Sequence, residues 1–219
     1  MGVDEVSTSL FDLSGMTALV TGGGSGLGRD LAEVLAEHGA NIAVCPRKLN
    51  NCQETAEAIV RKYPVKAKAY ACDVSSEEDV NLTVEAVLAD FGQIDILVNN
   101  SGASWGESVE KMPIEAWQKV MGVNVTGTFL MSKAVGQQMI ENGYGKIINI
   151  GSIAGIRAES AKVLNAIGYS TSKAAVHHFT RDLAKKWAEY GITVNAIEPG
   201  FIETKMTKHI ISKTRDLLL

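Results

Sequence analysis

Residues 16–28 read MTALVTGGGSGLG, a short apolar run followed by a glycine-rich loop. An apolar run that ends in Thr21-Gly22 is typical of a buried strand. Beyond the glycines, apolar side chains recur at helical spacing, which predicts a helix with one apolar face formed by Leu27, Leu31, Val34 and Leu35. A strand, a glycine turn and a helix in this order predict a unit whose turn can approach a phosphate group closely.

The alternation that begins here continues along the chain. Short apolar runs predict further strands at 41–45, 65–71, 94–98, 146–150 and 192–197. Amphipathic segments predict the helices between them; one starts at capping boxes around Ser75 and Ser76, and one runs from Pro113 to about Asn142 with a potential break near Gly122. We therefore predict an α/β fold, a Rossmann-type doubly wound parallel sheet with helices on both faces. Residues 1–219 are expected to form a single domain that carries both the cofactor site and the catalytic site.

The composition limits the kinds of partner. The chain has 219 residues, 46% of them hydrophobic, and a net charge of −4, which suits one domain with a full core and gives no general attraction to nucleic acid or anionic membranes. Three cysteines at no zinc-binding spacing predict a reduced, cytoplasmic protein without a metal site. Residues 1–10 lack the apolar centre of a signal peptide, and no run has the length of a membrane span.

The loop at 21–28 predicts a dinucleotide site. Glycines let the backbone turn sharply and approach a pyrophosphate, and the helix that starts near Gly26 presents free N–H groups and a positive dipole end to the anion. The pattern is T-G-x-x-x-G-x-G rather than G-x-G-x-x-G. We expect the cofactor to be held here by Gly22, Gly24, Ser25, Gly26, Leu27 and Gly28.

The end of the second predicted strand indicates which nicotinamide cofactor is bound. A carboxylate at this place would hold the ribose hydroxyls of NAD, but the chain reads Cys45-Pro46-Arg47-Lys48. The planar guanidinium of Arg47 can instead clamp a 2′-phosphate. We therefore expect NADP(H) in preference to NAD(H).

Tyr169 and Lys173 are the candidate proton-transfer pair. Residues four apart share one face of a helix, so the two side chains are expected to be neighbours. A free tyrosine keeps its proton until about pH 10, and a nearby ammonium favours the phenolate and lowers that pKa. The pair therefore predicts a proton donor that works near neutral pH.

By these features the chain resembles the short-chain dehydrogenase/reductase family, and in particular its gluconate 5-dehydrogenase-type and 3-oxoacyl reductase-type members. The usual N-N-A-G motif of the family has a serine at position 101 here. The motifs stand in the family's order, namely the glycine loop at 21–28, Asp73-Val74, Asn99-Asn100-Ser101-Gly102, Asn124, Ser152, Tyr169 with Lys173, and Pro199-Gly200 with Thr204.

The resemblance implies a role for each matching residue. Tyr169 would exchange a proton with the substrate oxygen, Lys173 would lower the pKa of Tyr169 and hold the cofactor ribose, Ser152 would orient the substrate carbonyl, and Asn124 would help hold a water that relays protons to Lys173. The remaining cofactor contacts would be Asp73 and Val74 at the adenine, Asn99 at the ribose side, and Ile202 and Thr204 at the nicotinamide end. Ser101, Gly102, Pro199 and Gly200 would also bind the cofactor. Family members are usually homotetramers with the helices bearing Asn124 and Tyr169 at an interface, so a homo-oligomer is expected.

Two departures from the family pattern stand out. Ser152 and Tyr169 are 17 positions apart (169 minus 152), a longer gap than usual, and the additional residues at 157–165 are expected to shape the substrate pocket. Family members also continue past Pro199-Gly200 through a helix and one more parallel strand, whereas this chain ends at Leu219. The last strand and helix of the family are therefore expected to be missing, which would expose the edge of the sixth strand.

The motifs imply a small-molecule substrate with a ketone or a secondary alcohol. Arg157 and Lys162 could pair with a carboxylate, which favours a sugar acid such as a keto-gluconate or a related polyol. One alternative is a 3-oxoacyl thioester on a carrier protein, since those reductases share nearly all these motifs. A second alternative is a nucleotide-binding regulatory protein without turnover.

Overall fold

The computed structural model describes residues 10–46, 50–200 and 202. Within these residues, six parallel strands form one sheet in the order β3-β2-β1-β4-β5-β6. The order runs outward in both directions from β1 and β4, so a crevice opens above the carboxyl ends of these two neighbours. The strands are β1 Thr17–Thr21, β2 Asn41–Cys45, β3 Ala67–Ala69, β4 Ile96–Asn99, β5 Gly145–Ile150 and β6 Ile192–Ile197.

In the part of the chain that the structure describes, six α-helices connect the strands. They are α1 Gly26–Glu37, α2 Asn50–Lys62, α3 Glu77–Phe91, α4 Ile114–Met121, α5 Gly127–Asn142 and α6 Ile167–Trp187. Ser76 caps α3, its side chain accepting a hydrogen bond from the Asp79 N–H at 3.2 Å, as the capping-box pattern predicts. The predicted break near Gly122 is a π-helical turn, Gly122–Thr126, that joins α4 to α5 without interrupting the helical path.

Two apolar cores cover the two faces of the sheet. On β1, Leu19 belongs to one core, and Ala18 and Val20 to the other, because successive strand residues point to opposite faces. Residues of α3, α5 and α6 complete the first core, and residues of α1 and α2 complete the second. The predicted doubly wound architecture is therefore confirmed.

Differences from the sequence prediction are confined to element ends. The sequence predicts the third strand over 65–71, whereas β3 pairs only along Ala67–Ala69, opposite Ile42, Ala43 and Val44 of β2. Within the described residues β6 lies at the other end of the sheet, and the expected absence of a further helix and strand concerns residues 203–219, outside that part. None of the helices described is both long and apolar enough to cross a membrane.

Candidate active site

A cleft of about 690 Å³ lies above the carboxyl ends of the central strands. Its volume falls in the range of small-molecule and cofactor sites, roughly 300–1,000 Å³. The sequence predicts most of its lining, namely Gly22, Gly24, Ser25, Gly26, Leu27, Gly28, Asp73, Val74, Ser101, Gly102, Tyr169, Lys173, Pro199, Gly200 and Ile202. Further lining residues that the prediction misses include Pro46, Cys72, Asn100, Lys119 and Gly151. Arg47 and Thr204 lie outside the described residues.

The glycine loop forms one wall of this cleft. Gly22 and Gly26 have φ values of +66° and +52°, which glycine adopts without strain. A Cβ on Gly28 would lie 2.3 Å from Nδ2 of Asn100 and 2.5 Å from the Gly22 carbonyl, so only glycine fits there. The side chain of Ser25 makes no capping bond to α1, and the first turn of the helix carries no acidic residue. The first N–H groups of α1 are thus available to an anion in the cleft.

Asn100 joins the glycine loop to the loop after β4. Its Nδ2 donates to the Thr21 carbonyl at 2.9 Å, and its backbone N–H donates to Thr21 Oγ1 at 2.8 Å. The Ser101 N–H donates to the same Thr21 oxygen at 2.9 Å. The loops that follow two adjacent strands are therefore held together at the floor of the cleft.

Tyr169 and Lys173 line the far end of the cleft, and the side chain of Ser152 lies beside Tyr169 without itself lining the cleft. Tyr169 and Lys173 lie on the same face of α6, with Nζ of Lys173 5.7 Å from the Tyr169 ring centre. Nζ also donates to the Ile150 carbonyl at 2.6 Å, which fixes the ammonium beneath the end of β5. Ser152 is the second residue beyond the end of β5, is 7% exposed, and its Oγ accepts a hydrogen bond from the Ala154 N–H at 3.2 Å. Its hydroxyl proton is then available to a substrate oxygen or to Tyr169.

Asn124 lies in the π-helical turn behind these residues. Its Nδ2 donates to the Ala103 carbonyl at 3.0 Å and to Ser172 Oγ at 2.8 Å, and its Oδ1 accepts from the Ala103 N–H at 2.7 Å. Both amide protons are committed, so this side chain can only accept a further hydrogen bond. It ties the loop after β4 to the helix that carries Tyr169.

The family model for short chain dehydrogenases matches residues 16–215. The chain belongs to this family. It is a short-chain NAD(P)-dependent oxidoreductase.

Three relatives illustrate the range of substrates in the family. The 3-oxoacyl-[acyl-carrier-protein] reductase FabG of Aquifex aeolicus is 39% identical over 195 residues, which cover 89% of this chain and 77% of that protein. An NAD⁺-bound xylitol dehydrogenase structure is 38% identical, with a TM-score of 0.85 over 92% of this chain and 76% of that one. The structure described as a putative NAD(P)-dependent gluconate 5-dehydrogenase from Beutenbergia cavernae, with bound NADP at low occupancy, is 32% identical, with a TM-score of 0.87 over 94% and 80%.

The pKa values of this short-chain dehydrogenase differ from the sequence expectation. Burial raises the pKa of Tyr169, and the neighbouring Ser152 side chain opposes that rise by favouring the phenolate. Burial also lowers the pKa of Lys173 to about 8. The pKa of Tyr169 is therefore raised and not lowered as the sequence predicts, because burial of the phenol is the largest cause of its shift.

Asn99 does not line the cleft, although the sequence predicts a contact with the cofactor. It is the last residue of β4, is 5% exposed, and its Nδ2 donates to Ser132 Oγ at 3.1 Å and to Asn149 Oδ1 at 2.9 Å. Neighbouring strand residues face opposite sides, so Asn99 points into the core while Asn100 reaches the cleft. Asn99 therefore stabilises the sheet. The sequence named Asn100 only as the next residue of the motif and did not predict its place in the cleft.

Arg157 and Lys162 do not reach the cleft either. The Arg157 Nε lies 2.8 Å from Glu159 Oε1, and the Arg157 side chain is 67% exposed. Lys162 is also exposed and is not part of the cleft lining. A carboxylate two residues away already neutralises the guanidinium, so the sequence-based argument for a carboxylated substrate loses its support.

Proposed function

We propose that this enzyme interconverts a ketone and a secondary alcohol, with Tyr169 as the acid and base. The observation that carries the proposal is the placement of Tyr169 and Lys173, with Ser152 beside Tyr169, at one end of a cleft whose other end is a glycine loop. The cofactor, when bound, supplies or accepts the hydride. The protein then has to position a carbonyl carbon and to move one proton at its oxygen.

The proton steps follow from the pKa shifts. A raised pKa keeps the Tyr169 phenol protonated at neutral pH, which suits donation to a carbonyl oxygen during reduction. The Ser152 hydroxyl would donate a hydrogen bond to the same oxygen and fix its direction. Lys173, whose pKa burial lowers to about 8, can carry a proton to or from this end of the cleft near neutral pH. Oxidation of an alcohol runs the same steps in reverse.

We propose that the dinucleotide lies along the whole cleft. The turn geometry and the open first turn of α1 fit a pyrophosphate at the glycine loop, and Asp73 and Val74 would border the adenine. Pro199, Gly200 and Ile202 would then border the nicotinamide. This direction brings the nicotinamide ring to Tyr169, where hydride transfer is required.

NADP(H) is proposed as the preferred cofactor. Its support is the absence of a carboxylate in the sequence 45–48 and the presence of Arg47 there. Among the relatives, one structure holds NADP and another holds NAD⁺, so both cofactors occur on this fold. Arg47→Ala should raise KM for NADPH about tenfold and leave KM for NADH within about twofold. Equal effects on the two cofactors would contradict the preference.

For the substrate we propose a sugar acid or a related polyol. The support is the likeness to a putative gluconate 5-dehydrogenase and a xylitol dehydrogenase. The second candidate is a 3-oxoacyl thioester, which the 39% identity to FabG and the 44% exposed Ile202 at the cleft favour. A panel of keto-gluconates, polyols and 3-oxoacyl thioesters, assayed with NADPH and NADH, separates the two classes.

The proposed acid–base role is tested by Tyr169→Phe. Loss of the hydroxyl should lower kcat by roughly 10²–10⁴-fold, the range for general acid–base catalysis, while the Kd for NADPH stays within about twofold. The Kd comes from fluorescence titration and kcat from the most active substrate of the panel. An unchanged kcat would refute the role of Tyr169. Binding of NADPH with no turnover of any substrate in the panel would favour a regulatory protein.

We also propose a homo-oligomer, a tetramer in keeping with the family. The Phe129 side chain of α5 is 48% exposed and packs edge-to-face on Phe179 of α6, with ring centres 6.5 Å apart. An exposed aromatic side chain that packs on a partly buried one is typical of subunit interfaces, where aromatic residues are enriched. Light scattering coupled to size-exclusion chromatography measures the oligomer, and a monomer at micromolar concentration would contradict the proposal.

A further inference from the structure

A buried histidine, His177, lies one turn beyond Lys173 on α6 and has no part in the proton steps above. It is 7% exposed, and its Nε2 lies 3.0 Å from Oε1 of Glu198. The geometry is that of a close polar contact rather than of a well-aligned hydrogen bond. The contact places the Glu198 carboxylate against a ring nitrogen that is otherwise shielded from water.

Glu198 occupies a particular position in the chain. It follows the last residue of β6 and directly precedes Pro199-Gly200, which line the cleft at its catalytic end. The histidine comes from the helix that carries Tyr169 and Lys173. A contact between these two side chains therefore joins the catalytic helix to the loop at the end of β6.

Gly151 shows how tightly the three segments pack. A Cβ on Gly151 would lie 2.6 Å from His177 Nε2 and 3.1 Å from Glu198 Cγ, so the pair rests directly on this backbone. The Gly151 N–H donates to the Ile197 carbonyl at 2.8 Å, and the Ile153 N–H donates to the Pro199 carbonyl at 3.2 Å. These two hydrogen bonds flank Ser152. The contact between His177 and Glu198 is a third connection to the end of β6. Of these three connections, it alone involves a residue of α6.

We propose that His177 and Glu198 are positioning residues that hold the Pro199-Gly200 loop against the catalytic helix, in register for the nicotinamide end of the cofactor. The inference rests on the proposed direction of the dinucleotide in the cleft. The pair touches neither the glycine loop nor the adenine side. Loss of this contact therefore weakens the binding of the nicotinamide half of the dinucleotide and leaves the binding of the adenosine half unchanged.

The test compares a whole dinucleotide with its adenosine half. His177→Leu and Glu198→Ala each remove the contact, and His177→Gln restores a donor near the position of Nε2. The matched control is His178→Leu, an exposed neighbour on the same helix. Fluorescence titration gives Kd for NADPH and for 2′-phospho-ADP-ribose, and steady-state kinetics give kcat.

The substitutions should weaken the binding of NADPH but not the binding of its adenosine half. His177→Leu and Glu198→Ala should each raise Kd for NADPH about five- to tenfold and leave Kd for 2′-phospho-ADP-ribose within about twofold, as for the loss of a single buried polar contact. His177→Gln and His178→Leu should stay within about twofold of the parent protein in both measurements. The double variant should be no worse than either single variant, because the two side chains act through one contact.

Several results would overturn the inference. The inference is wrong if Kd rises equally for both ligands, or if it rises for neither. It is also wrong if His177→Gln fails to restore binding, or if the two substitutions have additive effects in the double variant. If His177→Leu does not fold, the Glu198→Ala comparison decides, since that side chain is partly exposed and its loss leaves no large cavity. Binding is measured without turnover, so the result is independent of the Tyr169→Phe test. An active Tyr169→Phe enzyme would refute the proposed chemistry and leave the positioning role standing.

Discussion

Lys173→Met should stabilise the cofactor-free protein while abolishing its activity. The Lys173 side chain is 4% exposed, its Nζ has the Ile150 carbonyl as hydrogen-bond acceptor, and burial lowers its pKa from 10.5 to about 8. Because the pKa is lowered, keeping the ammonium charged in the folded protein reduces the free energy of unfolding. Methionine has similar length and no charge, so it fills the same space without that cost.

The magnitude follows from the pKa. The shift from 10.5 to about 8 corresponds to about 3 kcal/mol of penalty on the charged form. Methionine leaves the Ile150 carbonyl without its donor, which costs about 1–2 kcal/mol. We therefore expect the variant to gain about 1–2 kcal/mol in the free energy of unfolding at pH 7.

The pH dependence distinguishes this explanation from a simple packing gain. Between pH 8 and 10.5 the unfolded chain binds the proton of Lys173 more readily than the folded protein does, so the stability of the parent protein rises with pH in that window. The loss of stability caused by the buried ammonium is complete below pH 8 and vanishes as the pH approaches 10.5. The advantage of the methionine variant should therefore shrink by about 3 kcal/mol across the window.

Urea unfolding at pH 7, 9 and 10.5, followed by circular dichroism and fluorescence, measures both quantities. The matched control is Lys185→Met, an exposed lysine on the same helix, which should change stability by less than about 0.5 kcal/mol at every pH. A stability difference between Lys173→Met and the parent protein that does not change with pH would refute the reasoning. So would a loss of stability at pH 7.

Three further substitutions test the packing described above. Gly28→Ala should raise Kd for NADPH more than about tenfold, because the new Cβ would collide with Nδ2 of Asn100, and an unaltered titration would contradict that role. Asn99→Ala should cost about 1–3 kcal/mol of stability in urea and leave Kd for NADPH within about twofold, since its amide serves a buried network; a large loss of affinity would restore the predicted cofactor contact. Gly136→Ala should destabilise the protein by about 1–3 kcal/mol, because its Cβ would lie 2.2 Å from the Trp187 ring, and an unchanged urea midpoint would disprove the close packing.

Most of the fold can be predicted from local patterns in the sequence. The apolar runs predict all six of the strands in the described residues to within two residues at each end, and the cap at Ser76 is visible as a capping box. Near Gly122 the helical pattern predicts an irregularity, and the structure has the π-helical turn there. These features depend on neighbours within a few positions, which is the distance over which sequence patterns are informative.

The site was harder to predict because its details depend on contacts distant in sequence. Asn99 and Asn100 are adjacent in the motif, and only the packing of β4 between two cores decides which of them faces the cleft. His177 and Glu198 are 21 positions apart (198 minus 177), and nothing in either local pattern indicates that they meet. The pKa of Tyr169 likewise depends on burial, which neither its own residue type nor the nearby lysine reveals.

The π-helical turn at Gly122–Thr126 has a consequence for how the gene can change. A π-helical turn holds one residue more than the α-helical turn it replaces. Deleting one residue there would close the segment to an α-helical turn and leave α5 in phase with its core contacts. The deletion would, however, turn Asn124 away from Ser172 and Ala103. The length of the segment is therefore set by these contacts of Asn124 rather than by the packing of the helix that follows.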